Sequence, residues 1–376
     1  MFGVYIHVPF CRRKCPYCDF FSLPADAQVL AGYPELLCRH LELIDPGDWP
    51  GPVATVFFGG GTPSLLAPAA IAAVLAAVER RFGLAAGAEI SLEANPGTVT
   101  PEGLAGYRAA GVNRLSLGLQ SLDSGLLATL GRLHGCAEGV QAVHAARRAG
   151  FSNLSLDLIF ALPGQTLAML RTDAERFLAL EPEHLSCYGL TAEPGTPFHH
   201  RVQGGELQLP DDNFYADAFL LLHDLLQARG YDHYEIANYA RPGHACRHNL
   251  GYWRRRPCLG IGAGAHSFCG QGWGARRAVP ADLEAYAAAL QQHREPAGLL
   301  ESFDRRGAMS ETLYLGLRTA EGVDDAAFAA RFGGSVATCF PAAVSRLGRY
   351  LQHAGGAWRL SPEGWLLYDR LIVEFL

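Results

Sequence analysis

The sequence predicts an α/β fold: a partial (β/α)6 TIM-like barrel followed by a small, mainly helical, winged-helix-like C-terminal domain. Apolar, β-rich runs alternate with helical segments up to about residue 200, and this alternation ends after Phe198. Unusual polar residues fall where the apolar runs end. Repeated βα units imply a parallel sheet, and about six of them fit a partial barrel better than a doubly wound sheet.

The apolar runs and the segments between them define the predicted barrel elements. The predicted strands are Val4–Val8, Val53–Phe58, Ile90–Glu93, Leu115–Gly118, Leu154–Phe160 and Leu185–Tyr188. Apolar residues recur at i, i+3 and i+4 in the predicted helices, which are Ala67–Phe82, Pro101–Ala110, Ala137–Ala149 and Thr166–Ala179. Functional groups of such barrels lie where strands end, so the residues after these runs are the candidates for a site.

The chain divides into three predicted regions: a barrel core (1–200), an extension (201–270) and a C-terminal accessory domain (271–376). The extension begins with a predicted helix, Asp211–Gly230. The last region contains predicted helices at Asp304–Leu317 and Asp324–Phe332 and a strand-like end, Ala357–Leu376. Residues 301–376 hold nine acidic and eight arginine side chains. This balance leaves no basic stripe for DNA.

Composition limits the class of protein. The 376 residues, 49% of them hydrophobic, are enough for one large domain and a smaller one. A net charge of −6 argues against a general nucleic-acid binder. No run approaches the roughly 18 to 20 apolar residues of a membrane span, and no export signal is apparent. We expect a cytoplasmic protein, with a homodimer and peripheral membrane contact left open.

Three cysteines, Cys11, Cys15 and Cys18, lie within eight residues as CxxxCxxC. A structural zinc site normally takes four protein ligands, and no further CxxC or HxxxH pair is nearby. Three thiolates suit a [4Fe–4S] cluster with one open iron better, although zinc remains an alternative. The other seven cysteines are scattered, and we interpret most of them as buried small hydrophobes.

Further polar residues follow the next predicted strands. Gly59-Gly60-Gly61-Thr62 forms either a tight turn or a place where the backbone approaches a ligand closely. Glu93 and Asp157 alternate with apolar neighbours, which directs both carboxylates into the barrel. A buried carboxylate needs a partner, and for Asp157 the structural alternative is an ion pair with an arginine such as Arg132.

The cysteine motif resembles that of the radical S-adenosylmethionine (SAM) superfamily. In that superfamily three cysteines hold the cluster and SAM chelates the fourth iron. The resemblance implies that Tyr5 and Tyr17 lie near SAM, Gly60, Gly61 and Thr62 at its polar end, and Glu93 at its ribose or amino group. Gln120, Arg132 and Asp157 match contacts to a second SAM in related oxidases. Whether a second SAM binds here is left open.

Longer motifs resemble the coproporphyrinogen oxidase-related branch of that superfamily. They are Tyr5–Cys11, Phe58–Ser64, Gly118–Ser121, Leu130–His134 and Asp157–Gly164. The branch contains anaerobic coproporphyrinogen III oxidases, which decarboxylate propionates, and HemW-type heme chaperones, which bind heme and pass it to apoproteins. In the oxidases the cysteine motif has a further cysteine, CxxxCxxCxC, and an extension precedes the first strand. Here Asp19 and Phe20 follow Cys18, and the first strand begins near Met1, so both differences favour the chaperones.

A second motif, His248-Asn-Leu-Gly-Tyr-Trp253, matches the HNxxYW motif of the heme chaperones. The resemblance assigns heme binding to His248, Asn249, Tyr252 and Trp253. An imidazole can ligate iron and flat aromatic rings can cover a porphyrin. Arginines that suit the heme propionates surround the motif, namely Arg241, Arg247, Arg254, Arg255 and Arg256. A buried structural histidine is the alternative for His248.

The expected function is therefore heme binding and transfer to acceptor apoproteins, with respiratory ones among the candidates, and with a SAM-ligated cluster. Oxidase activity is not expected. The alternative is an oxygen-independent coproporphyrinogen III oxidase, in which SAM cleavage starts radical decarboxylation of propionates.

Overall fold

The structure is a computed structural model that describes residues 1–49 and 51–376. Its strands are β1 Phe2–Val8, β2 Phe10–Cys11, β3 Leu23–Pro24, β4 Val53–Gly60, β5 Leu84–Ala94, β6 Arg114–Gln120, β7 Leu154–Phe160, β8 His184–Gly189, β9 Asp232–Glu235, β10 Asn238–Ala240, β11 Cys258–Ile261, β12 His266–Cys269, β13 Ala275–Ala278, β14 Gly298–Ser302, β15 Val323–Asp324, β16 Leu351–Ala354 and β17 Ala357–Leu360. Its α-helices are α1 Ala27–Leu43, α2 Pro68–Phe82, α3 Pro101–Ala109, α4 Ser124–Thr129, α5 Cys136–Arg148, α6 Leu167–Leu178, α7 Pro197–Gln203, α8 Asp212–Ala228, α9 Arg247–Trp253, α10 Leu283–Gln291, α11 Arg305–Gly316, α12 Asp325–Phe332, α13 Val336–Cys339, α14 Pro341–Leu347, α15 Pro362–Leu366 and α16 Tyr368–Ile372.

The six predicted strands are present as β1, β4, β5, β6, β7 and β8. They are parallel and lie side by side in chain order. This arrangement confirms the predicted α/β barrel. Because parallel strands end at the same edge, the cysteine loop after β1, the glycines ending β4, Glu93 in β5 and Gln120 ending β6 share one rim.

Local sequence signals explain where the barrel helices begin. Asp123, Thr166 and Asp211 each accept a backbone hydrogen bond at the first turn of the helix that follows. Helix α8 confirms the predicted helix over 211–230 to within two residues at each end. Helix α2 ends at Gly83, whose φ of 72° suits glycine.

The extension and the following residues lengthen the sheet at both edges. Strands β9 and β10 form an antiparallel hairpin on β8, whereas β11 pairs parallel with β1 on the opposite side. Strands β12, β13 and β14 continue from β11 in antiparallel order. In the described part of the chain the main sheet has twelve strands, with β14 and β9 at its ends. The barrel is therefore open.

The C-terminal region is mainly helical, with a three-stranded antiparallel sheet in the order β15-β17-β16. The strand-like end predicted for Ala357–Leu376 is wrong beyond Leu360, because the chain turns into α15 and α16. Ser361 accepts a hydrogen bond from the Gly364 amide, and Pro362 occupies the first turn. These are helix-start signals, and they outweigh the apolar pattern that suggested a strand.

A buried ion pair joins the C-terminal region to the barrel. The Glu311 carboxylate of α11 accepts hydrogen bonds from Arg255 and Arg276, with Arg255 and Glu311 side chains only 6% and 9% exposed. Loss of one partner from such a pair leaves a buried charge unpaired.

Among the described residues, no helix combines the length and the apolar character that crossing a bilayer requires.

Candidate functional site

A cavity of about 630 Å³ opens at the carboxyl ends of the barrel strands. It gathers residues from the cysteine loop and from β4 to β8. Eleven of the twelve residues assigned to the cluster and SAM line it: Cys11, Cys15, Cys18, Tyr17, Gly60, Gly61, Thr62, Glu93, Gln120, Arg132 and Asp157. The structure thus brings together side chains that are up to 146 positions apart in the chain, from Cys11 to Asp157.

The three cysteines lie half-buried in one loop at the cavity wall. Thr62 Oγ1 donates to Cys11 Sγ at 3.6 Å, and an Arg132 guanidinium nitrogen donates to Cys15 Sγ at 3.5 Å. Hydrogen-bond donors and nearby positive charge stabilise thiolates. Three thiols that line one cavity, two of which receive such donors, fit a cluster with an open corner.

The basic residues between the cysteines hold the loop in place. Arg12 donates to Gly97 O at 2.6 Å, Arg13 to Gly131 O at 2.5 Å and Lys14 to Phe20 O at 2.9 Å. Two of these contacts tie the loop to the ends of other βα units. The basic side chains therefore fix the loop, and their charge would offset that of an anionic cluster.

Close packing requires glycine at positions 60 and 61, where β4 ends. Gly60 has a φ of 110°, and a Cβ there would lie 2.5 Å from His7 Cε1. A Cβ on Gly61 would lie 2.6 Å from the carbonyl oxygen of Phe10. Only glycine permits both the conformation and the approach. These glycines bring the β4 backbone against the cysteine loop while they line the cavity.

Replacement of Gly60 by alanine should destabilise the fold by roughly 2–4 kcal/mol, because strain at positive φ adds to a steric clash. Chemical denaturation measures this change. Gly97→Ala is the matched control, since Gly97 also lines the cavity but its added Cβ meets nothing within 4 Å. Equal stability of the two variants would contradict the packing role.

Glu93 and Asp157 place two carboxylates in the cavity without an ion-pair partner among the described residues. Burial, followed by repulsion from Asp157, raises the pKa of Glu93 to about 8, although Glu93 accepts a hydrogen bond from the Gly60 amide. Burial raises the pKa of Asp157 to about 6, against hydrogen bonds from Ser116 and Ser186. Such a pair favours a cationic ligand, and SAM carries a sulfonium and an ammonium group.

The ion pair considered for Asp157 and Arg132 does not form. Asp157 accepts from Ser116 Oγ at 3.1 Å. Arg132 instead donates to Gly118 O at 2.8 Å and to the side chain of Asn95, and its Nε is buried without a partner in the described structure. Arg132 therefore connects the cysteine loop to the ends of β5 and β6.

Two of the assigned residues have unusual settings. Gln120 ends β6 with a φ of 69°. Residues other than glycine rarely adopt this left-handed backbone conformation, and those that do are concentrated at functional sites. Tyr5 does not line the cavity: its half-buried ring stacks on Phe57, and its hydroxyl bonds His7 Nδ1 at 3.0 Å. Tyr5 is therefore placed in the packing between β1 and β4 rather than in the cavity wall.

Sequence reasoning missed Asn95, which lines the cavity between the cysteine loop and β6. Its Nδ2 donates to Thr62 Oγ1 at 3.1 Å, while its Oδ1 accepts from Arg132. The signal was available, because Asn95 lies two residues after Glu93 and just before Pro96 at the end of the same strand.

The HNxxYW motif lies at the opposite end of the barrel, on helix α9. His248 is 3% exposed and contacts the first residues of β1 and β4. Its Nδ1 is 2.8 Å from Thr55 Oγ1, its Nε2 is 2.9 Å from the Tyr252 hydroxyl, and its ring stacks on Phe57. Both ring nitrogens therefore have partners, as the structural alternative for His248 requires.

Helix α9 is fixed firmly at this position. Glu89 accepts hydrogen bonds from the backbone amides of Arg247 and His248 at 3.1 Å, which matches the positive end of the helix. A cavity of only about 50 Å³ adjoins His248 and Tyr252. Asn249 and Trp253 are half-buried on the same helix.

Most of the arginines considered for propionates already have partners. Arg241 donates to Pro182 O and Arg247 to Gly87 O. Arg254 pairs with Glu321, and Arg255 with Glu311. A heme at this end of the barrel would therefore compete with existing contacts.

Comparison with known proteins agrees with this geometry. The radical SAM superfamily matches residues 5–177, and the HemN C-terminal domain matches residues 303–367. A heme chaperone HemW of Synechocystis sp. is 41% identical over 85% of this chain and 79% of its own length. The Bacillus subtilis HemW is 33% identical over 100% of this chain and 99% of its own.

The chain belongs to the HemW family of radical SAM proteins. The fold of this HemW-family chain is that of a solved oxidase as well: coproporphyrinogen III oxidase (HemN) from Escherichia coli superposes with a TM-score of 0.84 over 100% of this chain and 89% of the oxidase, at 22% identity. A likeness at that identity shows the fold alone.

Proposed function

We propose that this protein is a heme chaperone that binds heme through the HNxxYW helix and passes it to acceptor apoproteins, with a SAM-ligated [4Fe–4S] cluster at the other end of the barrel. Cys11, Cys15 and Cys18 would hold the cluster. The cluster and SAM, when bound, supply one-electron redox chemistry. Glu93, Thr62 and the glycines of β4 would hold the SAM at the carboxylate-lined cavity.

The observation that carries the heme proposal is the 33% identity of the whole chain to a heme chaperone HemW, together with the HNxxYW motif on helix α9. Burial lowers the pKa of His248 to about 3, so the imidazole is neutral at physiological pH. Neutral imidazole is the form that ligates iron. Thr55 can accept from Nδ1 while Tyr252 donates to Nε2. In that tautomer Nε2 carries the lone pair that would hold the heme iron, and Thr55 keeps the ring oriented.

His248→Ala should weaken hemin binding by at least about 10-fold, since an iron ligand is lost. An anaerobic hemin titration followed by Soret absorbance measures the affinity. His184→Gln is the matched control: His184 is also buried, and both its ring nitrogens have partners, Ser155 and Tyr234. Equal affinities of the parent and His248→Ala would remove His248 from the site.

The second candidate function is coproporphyrinogen III decarboxylation. Its support is that Gln120, Arg132 and Asp157 are gathered in a cavity of about 630 Å³. The absence of a fourth cysteine in the loop, where Asp19 follows Cys18, favours the chaperone. Assay of reconstituted protein with coproporphyrinogen III, SAM and a reductant distinguishes the two, because only the oxidase releases carbon dioxide.

The proposed partners are heme and heme-dependent apoproteins, respiratory ones among them. The proposed compartment is the cytoplasm, where the ten free cysteines would stay reduced. Homodimerisation and peripheral membrane contact belong to the same proposal. We also propose that the chain divides into three parts, with boundaries at residues 200 and 270.

A further inference from the structure

The segment after α11 contacts the motif helix through two side chains. Arg318 lies over the Trp253 ring, 4.8 Å from its centroid. Glu321 receives a forked hydrogen bond from Arg254, with Nε to Oε2 at 3.0 Å and Nη2 to Oε1 at 2.5 Å. The C-terminal region therefore covers the part of helix α9 that carries the last residue of the HNxxYW motif.

The Arg254 guanidinium is thus already set to hold a carboxylate within two residues of Tyr252. Forked pairing is the geometry in which arginine binds carboxylates with the most specificity. A heme propionate presents the same chemical group as Glu321. Its forked geometry, and its place one residue after the HNxxYW motif, make Arg254 a candidate receptor for a heme carboxylate.

Exposure decides which ion pair can exchange. The Arg254 and Glu321 side chains are 37% and 61% exposed, whereas Arg255 and Glu311 are 6% and 9% exposed. An exposed pair is held only weakly against competing ions, whereas a buried pair is costly to separate. The backbone of this segment is also fixed, because Ile236 N donates to Arg318 O and Ala320 N donates to Tyr234 O. Exchange is therefore confined to the side chains.

We propose that Arg254 binds a heme propionate and that Glu321 occupies its place until heme arrives. This inference rests on the proposed function and adds a residue and a regulation to it. Glu321 weakens heme binding by competition, and on release it returns to Arg254. Such a competitor suits a protein that must release its ligand, because it lowers the free energy needed for heme to dissociate.

Glu321→Gln tests the competition. Loss of the negative charge should tighten hemin binding about three- to five-fold, as expected for an exposed ion pair. Arg254→Ala should weaken binding roughly ten-fold, and Glu321→Gln added to Arg254→Ala should change nothing further. Glu374→Gln is the matched control, since it breaks an exposed pair with Arg346 in the same region.

The iron protoporphyrin dimethyl ester serves as a second probe, because it lacks the carboxylates. It should bind the parent and Glu321→Gln equally. Unchanged or weaker hemin binding by Glu321→Gln, or an equal gain with the ester, overturns the inference and leaves heme binding intact. Absence of saturable hemin binding by the parent overturns the proposed function, and this inference with it.

Discussion

Replacement of Cys15 by serine should abolish assembly of the cluster. Iron in the reconstituted protein should fall from about four atoms per chain to below about one, since a [4Fe–4S] cluster needs every protein thiolate it has. The loop offers three cysteines and no fourth. Cys15 also receives the Arg132 hydrogen bond that connects the loop to β6, so its loss removes both a ligand and an anchor.

Iron and acid-labile sulfide analysis after anaerobic reconstitution measures this effect, together with the visible charge-transfer absorption. Cys38→Ser is the control, because Cys38 is also half-buried but lies on α1. A Cys15→Ser protein that retains full iron and sulfide would contradict the assignment of the cluster to this loop.

Glu93→Gln should produce opposite effects on stability and on SAM binding. The pKa of Glu93 is about 8 in the folded protein against an ordinary value of 4.5. Its contribution to stability is therefore present below pH 4.5 and is lost as pH rises through 8. The glutamine variant lacks this loss, so between pH 5 and pH 8 the cofactor-free parent should lose roughly 3–4 kcal/mol more stability than the variant does.

The same substitution should weaken SAM binding by roughly 10-fold or more, because the cavity loses a carboxylate that favours a cation. Denaturation at pH 5 and pH 8 measures stability, and isothermal titration of cluster-loaded protein with SAM measures binding. Glu193→Gln is the control, since Glu193 lines the same cavity. Equal loss of stability with pH in the parent and Glu93→Gln would contradict the burial of this carboxylate.

The barrel was predictable because its strands and helices have regular apolar periods and recognisable caps. The cavity was predictable because parallel strands end together, so Glu93, Gln120 and Asp157 had to meet the cysteine loop. The position of β11 beside β1 was not, since pairing between residues more than 250 positions apart leaves no local pattern. Asn95 was missed although its position, just after the end of β5 and two residues after Glu93, marked it as a candidate for the same rim.

The C-terminal error has a local cause. Apolar residues at Leu366, Leu371 and Val373 suggest a strand, yet Ser361 and Pro362 start a helix. The ion pairs of the arginines around HNxxYW could not be predicted from the sequence. Sequence places them near the motif, but only the structure shows that Arg254 and Arg255 meet Glu321 and Glu311.

The most direct test of a chaperone role is heme transfer. Heme-loaded protein is mixed with the apoprotein of a heme-dependent respiratory enzyme in the presence of excess apomyoglobin, which traps free heme. We expect the acceptor to gain heme faster than apomyoglobin does. Heme that reaches only apomyoglobin, at the rate of spontaneous dissociation, would contradict a chaperone role.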